Sequence, residues 1–221
     1  MDAIALKGDI MERIMTTRIV PAATVVDSEE AASLAKALLE GGVNVVEFTF
    51  RTAAAEDAIR RVASSFPDML VGAGTVLNED QLRRAAAAGA RFAVAPGLNP
   101  DLVRAARAIG LEFLPGVATP SEVDLGIRLG CKLLKFFPAD VLGGPKAIKA
   151  LAGPFGHTGV KFVPTGGINA ANAAEYLSLP VVAAVGGSWM VAPALIKERN
   201  WAEITRLSRE AVEIAMSARK Q

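Results

Sequence analysis

The chain has 221 residues, which at the usual domain size of about 150 residues fits one large α/β domain or two small ones. A hydrophobic fraction of 52 % against 21 % charged supplies ample apolar side chain for a core and excludes an intrinsically disordered chain. The 24 Lys and Arg nearly balance the 23 Asp and Glu, for a formal charge of +1; this excludes a protein that sheathes nucleic acid but leaves room for a local anion site.

The stretch Met1 to Met15 carries Asp2, Lys7, Asp9, Glu12 and Arg13. It lacks the apolar run of a signal peptide and is expected to form an N-terminal helix. Ile19 to Val25 reads as the first strand. Asp27 or Ser28 can cap the helix that follows, with Ala31, Leu34, Ala35 and Leu38 on one face and Gly41-Gly42 as its stop. Val43 to Phe50 is the second strand, and Thr52 is expected to cap a helix to about Ser65. Leu70 to Val76 is the third strand, followed by Asn78 as a cap and a helix from Glu79 to Ala88. Arg91 to Pro96 is the fourth, and Asn99-Pro100 opens a helix to Ile109, with Pro100 where a missing N–H costs nothing. Leu111 to Val117 is the fifth strand, and Thr119-Pro120 starts a helix ended by Gly130. Lys132 to Pro138 is the sixth, with a short helix from Pro145 to Ala152. Val160 to Thr165 is the seventh, with Asn169 capping a helix from Ala170 to Leu179. Val181 to Val185 is the eighth, and Trp201 to Ala218 forms the final helix.

Eight apolar strands, nearly every one followed by a helix, imply a parallel sheet covered by helices. No change of composition and no Ser/Pro-rich linker divides residues 1–221, so one domain is expected, a single (β/α)8 TIM barrel with an N-terminal helix. The glycine turns do not match a dinucleotide fingerprint, because Gly72-Ala73-Gly74 lacks the third glycine. No stretch approaches the roughly 20 uncharged apolar residues of a membrane span, so no membrane partner and a cytoplasmic location are expected.

The scarce residues narrow the chemistry. Cys131 is the only cysteine, so an intrachain disulfide is impossible. His157 is the only histidine, so a zinc site of Cys and His ligands is too short of ligands. A Ser–His–Asp hydrolase would have to use His157 within a glycine-rich stretch. Oxygen-ligated magnesium stays open, since carboxylates are plentiful.

In a barrel, chemistry sits at the C-terminal ends of the strands. On the second strand, alternation places Val45, Glu47, Thr49 and Arg51 inward and the bulky Val46, Phe48 and Phe50 toward the helices. An enclosed Glu47 is either half of a structural ion pair with Arg51 or a general acid/base tuned by its enclosure. On the sixth strand Lys135 belongs to the inward set Leu133, Lys135 and Phe137, with two apolar neighbours on each side. Desolvation disfavours an ammonium there, and a free amine in a dry pocket attacks carbonyls to give a Schiff base. The competing account is an aliphatic stem packed beneath a salt bridge to a barrel carboxylate. The last two strands end in Thr165-Gly166-Gly167 and Gly186-Gly187-Ser188, where barrels commonly hold phosphate and where glycines admit an anion to backbone N–H groups. Three readings follow: an imine-forming lyase, a phosphosugar isomerase or epimerase without a covalent step, and a phosphate-ligand binding protein without catalysis.

The segments Gly41-Gly42-Val43, Glu47-Phe48-Thr49-Phe50-Arg51-Thr52, Val71 to Leu77, Ala95-Pro96-Gly97-Leu98, Pro115 to Thr119, Lys135-Phe136-Phe137-Pro138-Ala139, Pro164 to Ile168 and Gly186 to Trp189 cover nearly the whole chain. With them the sequence resembles the bacterial 2-keto-3-deoxy-6-phosphogluconate (KDPG) and 2-keto-4-hydroxyglutarate (KHG) aldolases, a class I aldolase family. Phe48 and Phe50 stand where other members often carry Val and Leu.

The resemblance implies a homotrimeric barrel that cleaves KDPG to pyruvate and glyceraldehyde 3-phosphate, and that can also take 4-hydroxy-2-oxoglutarate, with no cofactor and no metal. It makes Lys135 the Schiff-base lysine and Glu47 the acid/base. Arg51, Thr75 and Thr165 hold the pyruvate carboxylate end, Pro96 and Phe137 line the pocket, and Gly166, Gly167, Gly186, Gly187 and Ser188 bind phosphate. Cys131 and His157 are left with structural places, and Trp189 is expected to pack beneath the phosphate loop.

Overall fold

The computed structural model describes residues 3–218, with side chains from residue 10 onward. In chain order it contains α1 (Ala3–Thr17), β1 (Ile19–Ala23), α2 (Glu29–Glu40), β2 (Val45–Thr49), α3 (Ala55–Ser65), β3 (Leu70–Gly74), α4 (Glu79–Ala87), β4 (Phe92–Val94) and α5 (Pro100–Ala108). There follow β5 (Glu112–Leu114), β6 (Gly116–Val117), α6 (Pro120–Arg128), β7 (Leu133–Phe136), α7 (Gly144–Phe155), β8 (Lys161–Pro164), α8 (Ala173–Leu177), β9 (Val185–Gly187), α9 (Pro193–Lys197) and α10 (Trp201–Ser217).

All strand pairings are parallel. They form a curled sheet in two arcs, one in the order β5-β4-β3-β2-β1-β9 and one in the order β6-β7-β8. The expected uninterrupted eight-stranded ladder is therefore broken at two places. The expected fifth strand is split into β5 and β6 at Pro115, which has no N–H to give to a ladder. At the other junction Val181 to Val185 was expected as a strand, but the ladder begins only at Val185. Isolated parallel bridges at Phe162–Val182 and Thr165–Gly186 span that gap.

Alternation of side chains across the sheet separates two apolar clusters. The inner one holds Val20, Val45, Leu70, Phe92, Leu114, Leu133 and Val163, and Ile10 and Ile14 of α1 pack into it. Val20, Val45, Leu70 and Leu133 stand at or near the starts of their strands, so α1 covers the N-terminal end of the sheet and leaves the C-terminal end for chemistry. The larger cluster lies between sheet and helices. It holds Val46, Phe48, Leu134 and Phe136, the outward set expected from alternation.

Several helix starts follow local sequence chemistry. Asn78 accepts from the Gln81 N–H, Asn99 from the Asp101 N–H, and Thr119 forms a reciprocal capping box with Glu122. Others depart from it. Thr52 does not cap α3, which starts at Ala55 after Ala54; its hydroxyl instead donates to the Val25 carbonyl at 2.6 Å, tying two loops together. Ser28 makes no side-chain cap bond, while Asp27 accepts from the Glu29 N–H. Asn169 accepts from the Ala171 N–H in a turn ahead of α8, which is five residues long instead of the ten expected. Among the described residues no helix is long and apolar enough to cross a membrane.

Candidate active site

The C-terminal ends of the strands surround a cavity of about 400 Å³. Of the residues singled out in the sequence, Glu47, Arg51, Thr75, Pro96, Phe137, Lys135, Thr165, Gly166, Gly167, Gly187 and Ser188 all line it. They come from β2, β7 and β9 and from the loops after β2, β3, β4, β7, β8 and β9. Parallel strands end at the same level, so residues far apart in sequence meet at one rim.

Lys135 and Glu47 face one another inside it, 6 % and 4 % exposed. Lys135 Nζ lies 3.9 Å from Glu47 Oε1 and 5.2 Å from the centre of the Phe137 ring. At 3.9 Å the pair is looser than a charge-assisted hydrogen bond of about 2.7–2.9 Å, so the amine is not locked against the carboxylate. Burial pushes the Glu47 carboxyl above the usual carboxylate range, and the Lys135 charge opposes that shift in part. Glu47 therefore pairs with Lys135, and the structural pair with Arg51 considered from the sequence is replaced; Arg51 stands exposed at the mouth.

The neighbouring strand makes room for the carboxyl. A side-chain carbon on Gly74 would stand 2.9 Å from Glu47 Oε1 and 3.2 Å from the Thr49 methyl carbon. The next residue, Thr75, has φ +57°, a left-handed conformation that a β-branched residue adopts only under constraint. That backbone turn brings Thr75 to the cavity wall.

Gly166 and Gly167 turn with φ +97° and +78°, open to few residues but glycine, and Gly187 and Ser188 close the same side of the cavity. Gly186 is the exception among the sequence candidates. It is buried in β9, paired with Val20, and lies outside the cavity lining; a side chain there would run into the Thr165 hydroxyl. Its smallness makes room for the Thr165 side chain. The Trp189 ring lies where a side chain on Gly187 would go, beneath the loop as expected.

Two polar lining residues received no role from the sequence, Thr24 just after β1 and Thr49 on β2, whose hydroxyl oxygens are 2.8 Å apart. Thr49 could have been singled out from its inward register. Thr24 gave only the weaker signal of a polar residue at a strand end. His157 is exposed in a short 3-10 turn away from the cavity, and Cys131 is buried, where burial pushes its thiol up to about 11.

Residues 10–207 match the family model described as KDPG and KHG aldolase. The KHG/KDPG aldolase of Escherichia coli (strain K12) is 48 % identical over 203 residues, covering 91 % of this chain and 94 % of its own. A KDPG aldolase from Legionella pneumophila, crystallised with pyruvate captured at low pH as a covalent carbinolamine intermediate, superimposes with a TM-score of 0.87. It is 42 % identical over 91 % of this chain and 97 % of its own. The 2-keto-3-deoxy-6-phosphogluconate aldolase of Zymomonas mobilis ZM4, crystallised with 3-phosphoglycerate, has a TM-score of 0.87 and 41 % identity, covering 93 % and 96 % of the two chains.

Proposed function

The chain belongs to the KDPG and KHG aldolase family, and on that premise we propose that it is a class I aldolase cleaving KDPG to pyruvate and glyceraldehyde 3-phosphate through an imine at Lys135. The observation that carries this reading is the buried Lys135–Glu47 pair inside a cavity with a glycine-rich rim on one side.

Lys135 Nζ as free amine attacks the C2 carbonyl, giving a carbinolamine; loss of water gives the protonated imine. Glu47 as carboxylate then takes the proton of the C4 hydroxyl. The C3–C4 electron pair flows into the iminium, releasing glyceraldehyde 3-phosphate and leaving an enamine. Protonation of C3 regenerates the iminium, and water hydrolyses it to pyruvate and free amine. One carboxyl serves the successive proton transfers, and its burial favours the protonated form more than in an exposed glutamate. Arg51, Thr75 and Thr165 receive the carboxylate end, and Pro96 and Phe137 wall the reacting carbons. The phosphate lies against Gly166, Gly167, Gly187 and Ser188. The same steps convert 4-hydroxy-2-oxoglutarate to pyruvate and glyoxylate.

With this reading go three further ones. The two sheet arcs belong to a single (β/α)8 barrel, supported by the Lys135 N–H donating to the Pro115 carbonyl at 2.9 Å across one break and by the isolated bridges across the other. On the family resemblance, the chain assembles as a homotrimer, to be checked by light scattering, and works in the cytoplasm. Borohydride reduction in the presence of pyruvate tests the chemistry. The expected result is a stable adduct at Lys135, absent in Lys135→Ala, whose turnover falls by several orders of magnitude. Active protein without the adduct, or an active Lys135→Ala, refutes the imine.

A further inference from the structure

Thr24 and Thr49 are polar groups in the cavity to which the cleavage steps give no work. Thr49 is 7 % exposed and stands one inward position beyond Glu47 on β2. Its methyl is turned toward Gly74, so its hydroxyl faces β1 and meets the Thr24 hydroxyl at 2.8 Å. Among the described residues neither hydroxyl has another side-chain or backbone hydrogen bond. Whichever of the two donates, the other keeps an O–H, so the pair presents one free donor and spare lone pairs to the cavity.

Its position is informative. β1 lies between β2, which carries Glu47, and β9, which leads to Gly187 and Ser188. A substrate with its breaking bond at Glu47 and its phosphate at the rim must run past β1. The carbon that passes there is the one next to the new aldehyde, and in glyceraldehyde 3-phosphate that carbon bears a hydroxyl.

We propose that the Thr24–Thr49 hydroxyl pair recognises this hydroxyl and makes the enzyme selective for hydroxylated over deoxygenated aldehydes. This rests on the aldolase reading above. A polar pair poised for a hydroxyl is left unpaired by an analogue that lacks it, which is why such sites discriminate more strongly than apolar ones.

The test runs in the direction of synthesis, adding pyruvate to glyceraldehyde 3-phosphate or to 3-oxopropyl phosphate, which lacks only that hydroxyl. The readout is the ratio of the two kcat/KM values, in which the fraction of folded enzyme cancels. Wild type is expected to favour the hydroxylated aldehyde by about tenfold or more. Thr24→Val and Thr49→Val each bring the ratio toward one, and Thr24→Ser and Thr49→Ser, which keep the hydroxyl, restore it. A pair that merely ties β1 to β2 would lower both reactions alike. An unchanged ratio in both valine variants, or a wild-type ratio near one, overturns the proposal. If wild type yields no borohydride adduct with pyruvate, the aldolase reading itself fails and this proposal falls with it; an adduct with an unaltered ratio removes only the proposal.

Discussion

A methyl group at Gly74 would stand 2.9 Å from Glu47 Oε1 and 3.1 Å from its carboxyl carbon, well inside van der Waals contact. In Gly74→Ala something must shift, and Glu47 is the flexible party. Small displacements of a catalytic group are costly in rate, so kcat for KDPG cleavage is expected to fall by about ten- to a hundredfold. Stopped assays for pyruvate check this, and a variant with wild-type kcat would show that Glu47 has more latitude than the packing implies. Glu47 and Lys135 were legible in the sequence because strand alternation turned both inward among apolar neighbours. Gly74 looked like one more turn residue. Its closeness to a carboxylate on the adjacent strand follows from the parallel register that sets Thr49 opposite Gly74.

At the scale of elements, α6 shows how local chemistry fixes a helix start. The Thr119 side chain accepts from the Glu122 N–H, while the Glu122 carboxylate accepts from the N–H groups of Ala118 and Thr119 at 2.8 and 2.9 Å. Burial alone would raise the Glu122 carboxyl, but these hydrogen bonds outweigh it and hold the group below its ordinary value. A carboxyl depressed in the folded state stabilises the fold above its unfolded value, and that contribution disappears as pH falls through the folded value. Thr119→Ala is therefore expected to cost about 1 kcal/mol in urea unfolding. The stability gap between wild type and Glu122→Gln, present at pH 7, should close on acidification below the ordinary glutamate range. A gap independent of pH would mean that the carboxylate is not the stabilising form. This box is readable from Thr-Pro-Ser-Glu alone, because every partner lies within four residues. Thr52 carries similar local promise and does something else: α3 starts only after Ala54, and the Thr52 hydroxyl donates to a carbonyl of the loop after β1.

At the scale of the molecule, α1 closes one end of the sheet and the cavity opens at the other. Ile14 is fully buried among the starts of the strands, so Ile14→Ala removes packing from several strands at once. A loss of roughly 2–5 kcal/mol in unfolding free energy is expected, with the C-terminal rim and its imine chemistry least affected in the fraction that stays folded. Urea unfolding alongside borohydride trapping checks both halves. A loss below about 1 kcal/mol would show that α1 is an appendage to the fold.

The sequence by itself determined the order of the strands and of most helices, which faces are apolar, and the inward direction of Glu47 and Lys135. All of these rest on periodicity and on interactions between near neighbours, which a linear string records. The tertiary structure alone decided what meets what across strands. It exchanged Arg51 for Lys135 as the partner of Glu47, moved Gly186 from the cavity wall to a seat for Thr165, divided the sheet at Pro115, and joined Thr24 to Thr49. The physical reason is that register between parallel strands depends on long crossover connections and on packing against the helices, and neither leaves a mark at fixed spacing along the chain.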